Sequence, residues 1–170
     1  MKNFVLGIVA TLLVLVIGAF AYLRLGLIDT RASLEPSSTE SGLAMSFLDA
    51  SVDRHASEIR MPIESNPAVL TDGVKIYRQS CSGCHGDPAH PQSALLFYPR
   101  APQFMKDAPD MPPNQNFYII KYGVRWTGMP AWEGVLSDAQ IWKVVAFLSK
   151  MDHLPPGVEE QWKATQSRGN

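Results

Sequence analysis

Both cysteines of this 170-residue chain fall in one pentapeptide, Cys81-Ser82-Gly83-Cys84-His85. Two thiols at this spacing can each add to one of the two vinyl groups on one edge of a porphyrin. The histidine that follows then offers an imidazole nitrogen to the iron from one side. Ser82-Gly83 is a short, flexible pair that suits the turn this requires. The pattern reads as an attachment site for one covalent haem c, with Cys81, Cys84 and His85 as its residues. Three other chemistries use paired cysteines, and each fits less well. A redox dithiol sits between a strand and a helix of a parallel sheet, and no alternating strand pattern precedes Cys81. Half a zinc site needs further ligands, yet the other histidines, His55, His90 and His153, do not fall at finger-like spacing. A disulfide inside C-x-x-C closes a very small loop and contributes little.

An iron that only shuttles electrons keeps a second axial ligand. A thioether raises its potential, whereas an open position binds small ligands. Four methionines follow the motif: Met105, Met111, Met129 and Met151. Met151 falls at the end of an expected helix, where packing is its ordinary role. Met105 and Met111 lie in a proline-rich stretch and read as surface or filler. Met129 stands in Thr127-Gly128-Met129-Pro130-Ala131-Trp132. Gly128 permits close backbone approach and Pro130 stiffens an extended turn, so Met129 is the expected metal ligand opposite His85. His90 follows His85 too closely to reach the opposite face and reads as a surface loop residue; His55 and His153 have no partner pattern. Trp126, Trp132, Tyr98, Tyr118, Tyr122 and Arg125 read equally well as haem-lining groups and as ordinary packing, so none is taken as a site.

These groups need elements to hold them. Thr71 or Asp72 is the expected cap of a short helix that carries Val74, Ile76 and Tyr77 up to Cys81. The proline-rich stretch between Gly86 and Pro113 has no period and reads as a long wrapping loop. Asn114 or Asn116 is expected to start a second helix over residues 117–122, stopped by Gly123. A third helix is capped by Ser137 or Asp138 and carries the stripe Ile141, Val144, Val145 and Leu148. Residues 43–59 read as an amphipathic helix after a Ser/Thr/Glu/Pro linker at 30–42. The stretch 155–170 reads as a polar tail containing Trp162. Three short helices bury little surface for such a domain, and a bound porphyrin would add a flat apolar body to the core.

Composition bounds the partners. The chain is 46% hydrophobic and 18% charged, with a net charge of −1, so neither disorder nor nucleic-acid binding is expected. Residues 4–23 form an uncharged run, long enough as a helix to span a bilayer. Lys2 before it favours a cytoplasmic amino terminus, which exports the rest. A cleaved signal is the competing reading, because Ala19-Phe20-Ala21 resembles a cleavage site. The run is longer than an ordinary signal core and continues through Leu25, Leu27 and Ile28, which favours an uncleaved anchor. The organisation expected is an anchor at 1–28, a linker with a helix at 29–67, a haem domain at 68–154 and a tail at 155–170.

Gly73…Tyr77…Cys81-x-x-Cys84-His85-Gly86, then Tyr122-Gly123…Gly128-Met129-Pro130-Ala131-Trp132, then an apolar last helix, resembles the class I c-type cytochromes over about residues 68–154. The resemblance implies a mainly α fold: a small helical domain wrapped around a covalent haem, here with an N-terminal transmembrane helix. It implies that the first and last helices cross near Gly73 and Tyr77, against Val144, Val145 and Leu148. It also implies that a proline carbonyl accepts a hydrogen bond from the axial histidine. Pro102 in Arg100-Ala101-Pro102-Gln103-Phe104 is the choice, with Pro99 as the rival. The function expected is electron transfer, not enzymatic turnover, by a His/Met-ligated haem on the outer, periplasmic face of the cytoplasmic membrane, between redox partner proteins. Two alternatives stand: a haem subunit of a larger dehydrogenase or oxidase, and a gas-binding sensor with an open or labile sixth position.

Overall fold

The computed structural model describes residues 1–91 and 98–164. Those residues fall into two units, Met1–Arg31 and the remainder from Ala32. The first unit holds a single helix, α1 (Lys2–Arg24), which ends with Leu25 N–H on the Ala21 carbonyl and Gly26 N–H on the Leu23 carbonyl. It is long and apolar enough to cross a membrane, and none of its side chains is buried by protein.

The second unit is helical: α2 (Ser38–Ala56), α3 (Pro67–Ser80), α4 (Ser82–His85), α5 (Pro113–Tyr122), α6 (Asp138–Leu148) and α7 (Pro156–Lys163). Among the described residues there is no strand, only the isolated bridges Asp87–His90 and Glu133–Leu136. The strand–motif–helix setting of a redox dithiol is therefore missing around Cys81.

Local chemistry sets the helix starts. Asn66 caps α3 by accepting from Val69 N–H at 3.0 Å, and Pro67 occupies its first turn, where the missing N–H costs nothing. This start lies one turn ahead of the Thr71/Asp72 cap expected from sequence, because Asn66-Pro67 is the stronger start signal. Ser137 and Gln140 form a reciprocal capping box on α6. Pro113 occupies the first turn of α5, and Gly123 at φ 68° ends it.

Helices α3 and α6 are the most extensively packed pair. They meet at Gly73, where an added Cβ would overlap the Lys143 carbonyl oxygen and lie 2.8 Å from Phe147 Cβ. One turn later Tyr77, fully buried, sets its ring edge-on to Phe147 at 5.4 Å. Leu70, Val74, Ile141, Val144, Val145 and Leu148 complete this seam, and α5 closes it by stacking Phe117 on Trp142 at 4.1 Å.

Two segments differ from the expectation. Helix α2 starts at Ser38, ahead of residue 43, because Ser37 accepts from Glu40 N–H at 3.2 Å and turns the polar stretch into a first turn. Its far end buries Val52 and Ala56 and packs on α5: Asn114 donates to the Ala56 carbonyl at 2.8 Å, and His55 stacks on Tyr118 at 5.7 Å. The stretch expected as a polar tail forms α7, which buries Val158 and Trp162 against α3. Pro155-Pro156 reads as a helix stop, yet Pro156 serves as the first residue of α7; residues 165–170 lie outside the described residues.

Gly73→Ala forces apart two helices in backbone contact. It is expected to destabilise the folded domain by about 1–3 kcal/mol, read as a lowered midpoint in denaturant titration.

Candidate haem-attachment site

Helix α3 delivers the attachment motif. Cys81 N–H closes α3 on the Tyr77 carbonyl at 2.7 Å, and the chain then turns through α4, with Cys84 N–H and His85 N–H both on the Cys81 carbonyl at 3.0 Å. Gly86 follows at φ 82°, close under the carbonyls of His90 and Pro91, in a conformation that favours glycine. Ser82 is buried and donates back to the Arg78 carbonyl at 2.9 Å, so the turn is tied to the helix before it. Cys84 is exposed and Cys81 half-buried. Burial, with the neighbouring Cys84 adding, pushes the Cys81 thiol up to about 12.

His85 is held from several sides. Its Nδ1 lies 2.8 Å from the Pro102 carbonyl oxygen. A carbonyl only accepts, so Nδ1 carries the proton and the lone pair open to a metal is on Nε2. The Phe104 ring lies parallel to the imidazole, 4.5 Å away and 4° from coplanar orientation. Phe104 N–H donates to the His85 carbonyl at 3.1 Å, and Gln103 donates to the Cys84 carbonyl at 3.0 Å. Burial lowers the imidazole's proton affinity, opposed by the bond to Pro102, so the neutral ring that a metal needs is favoured. Tyr77 contributes from beneath: its hydroxyl donates to the Gly86 carbonyl at 2.8 Å.

Met129 lies in the connection between α5 and α6, partly buried against the core. Its carbonyl accepts from Val124 N–H at 3.1 Å and its N–H donates to Thr127 Oγ1 at 3.0 Å. Thr127 Oγ1 donates in turn to the Val124 carbonyl at 2.8 Å. Trp132 and Glu133 then return their N–H groups to the Lys121 carbonyl at 3.1 and 3.0 Å, satisfying the open end of α5. The backbone of Met129, Pro130 and Ala131 crosses directly over Gly123, where an added Cβ would lie 2.6 Å from Ala131 N and 2.8 Å from the Met129 carbonyl.

Several residues take their place only in three dimensions. Gly123 reads in sequence as a helix stop, yet it also admits the Met129 segment. Phe104 stands within the quoted Pro102 element, and nothing in its spacing shows that it stacks on His85. His90 is exposed and faces Asp87 at 3.4 Å, in the loop that leaves the motif. Tyr118 packs on His55 and on Tyr122, Trp132 is partly buried against the core, and Arg125 lies 5.8 Å from the Trp126 ring centroid.

The residues present suit a covalent haem. Two thiols stand on one short turn, one imidazole donates through Nδ1 and so leaves its Nε2 lone pair free, and a thioether is held on a separate loop. Among the described residues no three His, Cys, Asp or Glu side chains gather as a metal-ion cluster. The thiols should be unequal before haem is attached. At mild alkaline pH, Cys84 is expected to be alkylated at least about tenfold faster than Cys81, because the thiolate is the reactive form and Cys81 resists ionisation. Mass spectrometry of briefly treated haem-free chain reads this, and equal labelling would contradict it.

No curated protein matches the chain by sequence. Residues 68–148 match the family described as cytochrome C oxidase, cbb3-type, subunit III. The match begins in the first turn of α3 and ends with the last residue of α6, so it takes in the attachment turn, the Pro102 element and the Met129 loop. A family match over the elements that carry the C-x-x-C-H turn makes this part of the chain a cytochrome c domain, similar to the cbb3-type subunit III family, behind an N-terminal helix long and apolar enough to cross a membrane.

Proposed function

We propose that the protein is a membrane-tethered electron carrier. One haem c is bound through thioethers of Cys81 and Cys84, with His85 and Met129 as axial ligands. The domain stands on the outer face of the cytoplasmic membrane, held there by α1, and exchanges single electrons with redox partner proteins. The observation that carries this reading is the His85 Nδ1 bond to the Pro102 carbonyl, which commits one imidazole nitrogen and frees the other.

The haem, when bound, supplies a reversible ferric/ferrous couple. The chain's own part is to hold ligands and keep water away. The Pro102 carbonyl fixes the His85 tautomer and raises its basicity, as outer partners of metal-bound histidines do. Phe104 limits rotation of the ring by lying parallel to it. The Val124 and Thr127 bonds keep the Met129 segment from opening, which favours retention of a thioether in both oxidation states. A geometry unchanged between states lowers the cost of each transfer. Charge steering is weak: residues 68–154 carry eight Lys/Arg against seven Asp/Glu.

The family's description favours a second reading, a haem subunit within a larger oxidase. Purification from membranes in mild detergent separates the two: a carrier leaves as a single chain, and a subunit leaves with stoichiometric partners.

Visible spectra of the full-length protein test the ligation. A low-spin reduced c-type spectrum unmoved by carbon monoxide, with the long-wavelength oxidised band of methionine ligation, is expected. Met129→Leu should abolish that band and admit carbon monoxide, while the covalent haem stays attached. A carbon monoxide shift in the unmodified protein would favour a gas sensor instead. An absence of haem from a host competent in its attachment would return the cysteines to thiol chemistry.

A further inference from the structure

Helix α7 lies beyond the matched residues 68–148, yet it grips the last turns of α3, the helix that leads into the attachment turn. Trp162 is buried, with its ring edge-on to Tyr77 at 5.5 Å and to Phe147 at 5.0 Å. Arg78, in the last turn of α3, donates to the carbonyls of Trp162 and of Ala164, the latter at 2.8 Å. Its guanidinium also lies over the Trp162 ring, 5.5 Å from the centroid. The grip on α7 is thus made by the residue whose own carbonyl receives the Ser82 hydroxyl at 2.9 Å.

From Trp162 the packing runs on to His85 by two routes. The Tyr77 ring touches Phe104 at 6.4 Å, and Phe104 lies flat on the His85 imidazole at 4.5 Å. The Tyr77 hydroxyl bonds the Gly86 carbonyl, one residue past the histidine, at 2.8 Å. Both routes pass through Tyr77, and among the described residues Trp162 is one of three rings that contact the Tyr77 ring. Phe147 holds it from α6 and Phe104 from the Pro102 loop. Without Trp162 the third wall is gone, and Tyr77 gains the freedom to tilt toward α7. Close-packed aromatic contacts of this kind transmit such displacements, because the interior has no slack to absorb them.

We propose that α7 belongs to the machinery of the haem site, with Trp162 as a positioning residue that sets the His85 ring plane through Tyr77 and Phe104. The proposal rests on the reading of His85 as an axial ligand. Val158 supplies the control: it is the other buried side chain of α7 and packs on the same core, but it has no ring to set against Tyr77.

The test compares Trp162→Ala, Trp162→Phe and Val158→Ala in the full-length haem-bound protein. Two readouts report on the surroundings of the histidine, and the Val158→Ala control separates them from a general loss of stability. One is the set of g values of the ferric low-spin iron by electron paramagnetic resonance, which depends on ligand-plane orientation. The other is hydrogen exchange at the Phe104 amide, which donates to the His85 carbonyl. Trp162→Ala should move the g values and speed Phe104 exchange at least about tenfold. Trp162→Phe should restore both. Val158→Ala should lower the melting temperature and leave both unchanged. If Trp162→Ala fails to accumulate, Trp162→Leu carries the same comparison, because it keeps apolar volume without a ring. Unchanged g values and exchange in the Trp162 variants, or equal changes in Val158→Ala, would overturn the proposal. A wild-type chain without haem would overturn the electron-carrier reading, while Phe104 exchange would still decide whether α7 holds the attachment turn.

Discussion

The close crossing of α3 and α6 is the constraint on which the rest depends. Gly73 brings the backbone of α3 against the Lys143 carbonyl, a distance that no side chain tolerates. That approach sets where Tyr77 meets Phe147 one turn later, and hence where the Tyr77 hydroxyl ends. The attachment turn starts within four residues of Tyr77, so its height above the helical seam follows from the crossing. A wider crossing would leave Tyr77 short of Gly86 and leave a buried hydroxyl and a carbonyl without partners, each costing about 1–3 kcal/mol.

Around this frame the site is built mostly from backbone groups that have found partners. The Pro102 carbonyl accepts from His85 Nδ1–H, the Gly86 carbonyl from the Tyr77 hydroxyl, and the Met129 carbonyl from Val124 N–H. The exposed end of α5 is closed by Trp132 and Glu133. Loops between helices are ordinarily where a small domain is soft. Here the loops are tied at the atoms next to His85 and Met129, the two candidate axial ligands, and that arrangement suits a centre whose geometry must not change with charge.

The helices that flank this domain are the less expected part. Helix α2 docks on α5 through Val52, Ala56 and the Asn114 side chain, and α7 docks on α3 through Val158 and Trp162. Both add apolar burial to a small domain, whose high surface-to-volume ratio leaves little core to spare. The ion pairs Lys143–Asp72 and Lys121–Asp138 are at least partly exposed, and pairs of that kind contribute little. Packing and satisfied backbone groups, not surface charge, hold the unit together.

Local chemistry was legible from the residues alone. C-x-x-C-H announced its cofactor because few other chemistries need two thiols and an imidazole so spaced. The Ser137 cap, the Gly123 stop and the α6 stripe were readable because each depends on neighbours three or four positions away. The start of α3 and the first turn of α2 lie about a turn ahead of the positions expected from sequence, since several Ser, Thr, Asp and Asn residues compete as caps and only the folded chain shows which side chain reaches an N–H. Helix α7 was hidden because its polar face and opening prolines read as an end, and its Val158 and Trp162 acquire a core only when α3 is beside them. The flat contact of Phe104 on His85, the grip of Arg78 on α7 and the passage of Met129 over Gly123 join residues far apart in the chain. Spacing along a sequence determines what a segment can form and what chemistry its groups carry. Which surfaces meet was decided by the tertiary structure, because that choice depends on the shape left by all the other helices.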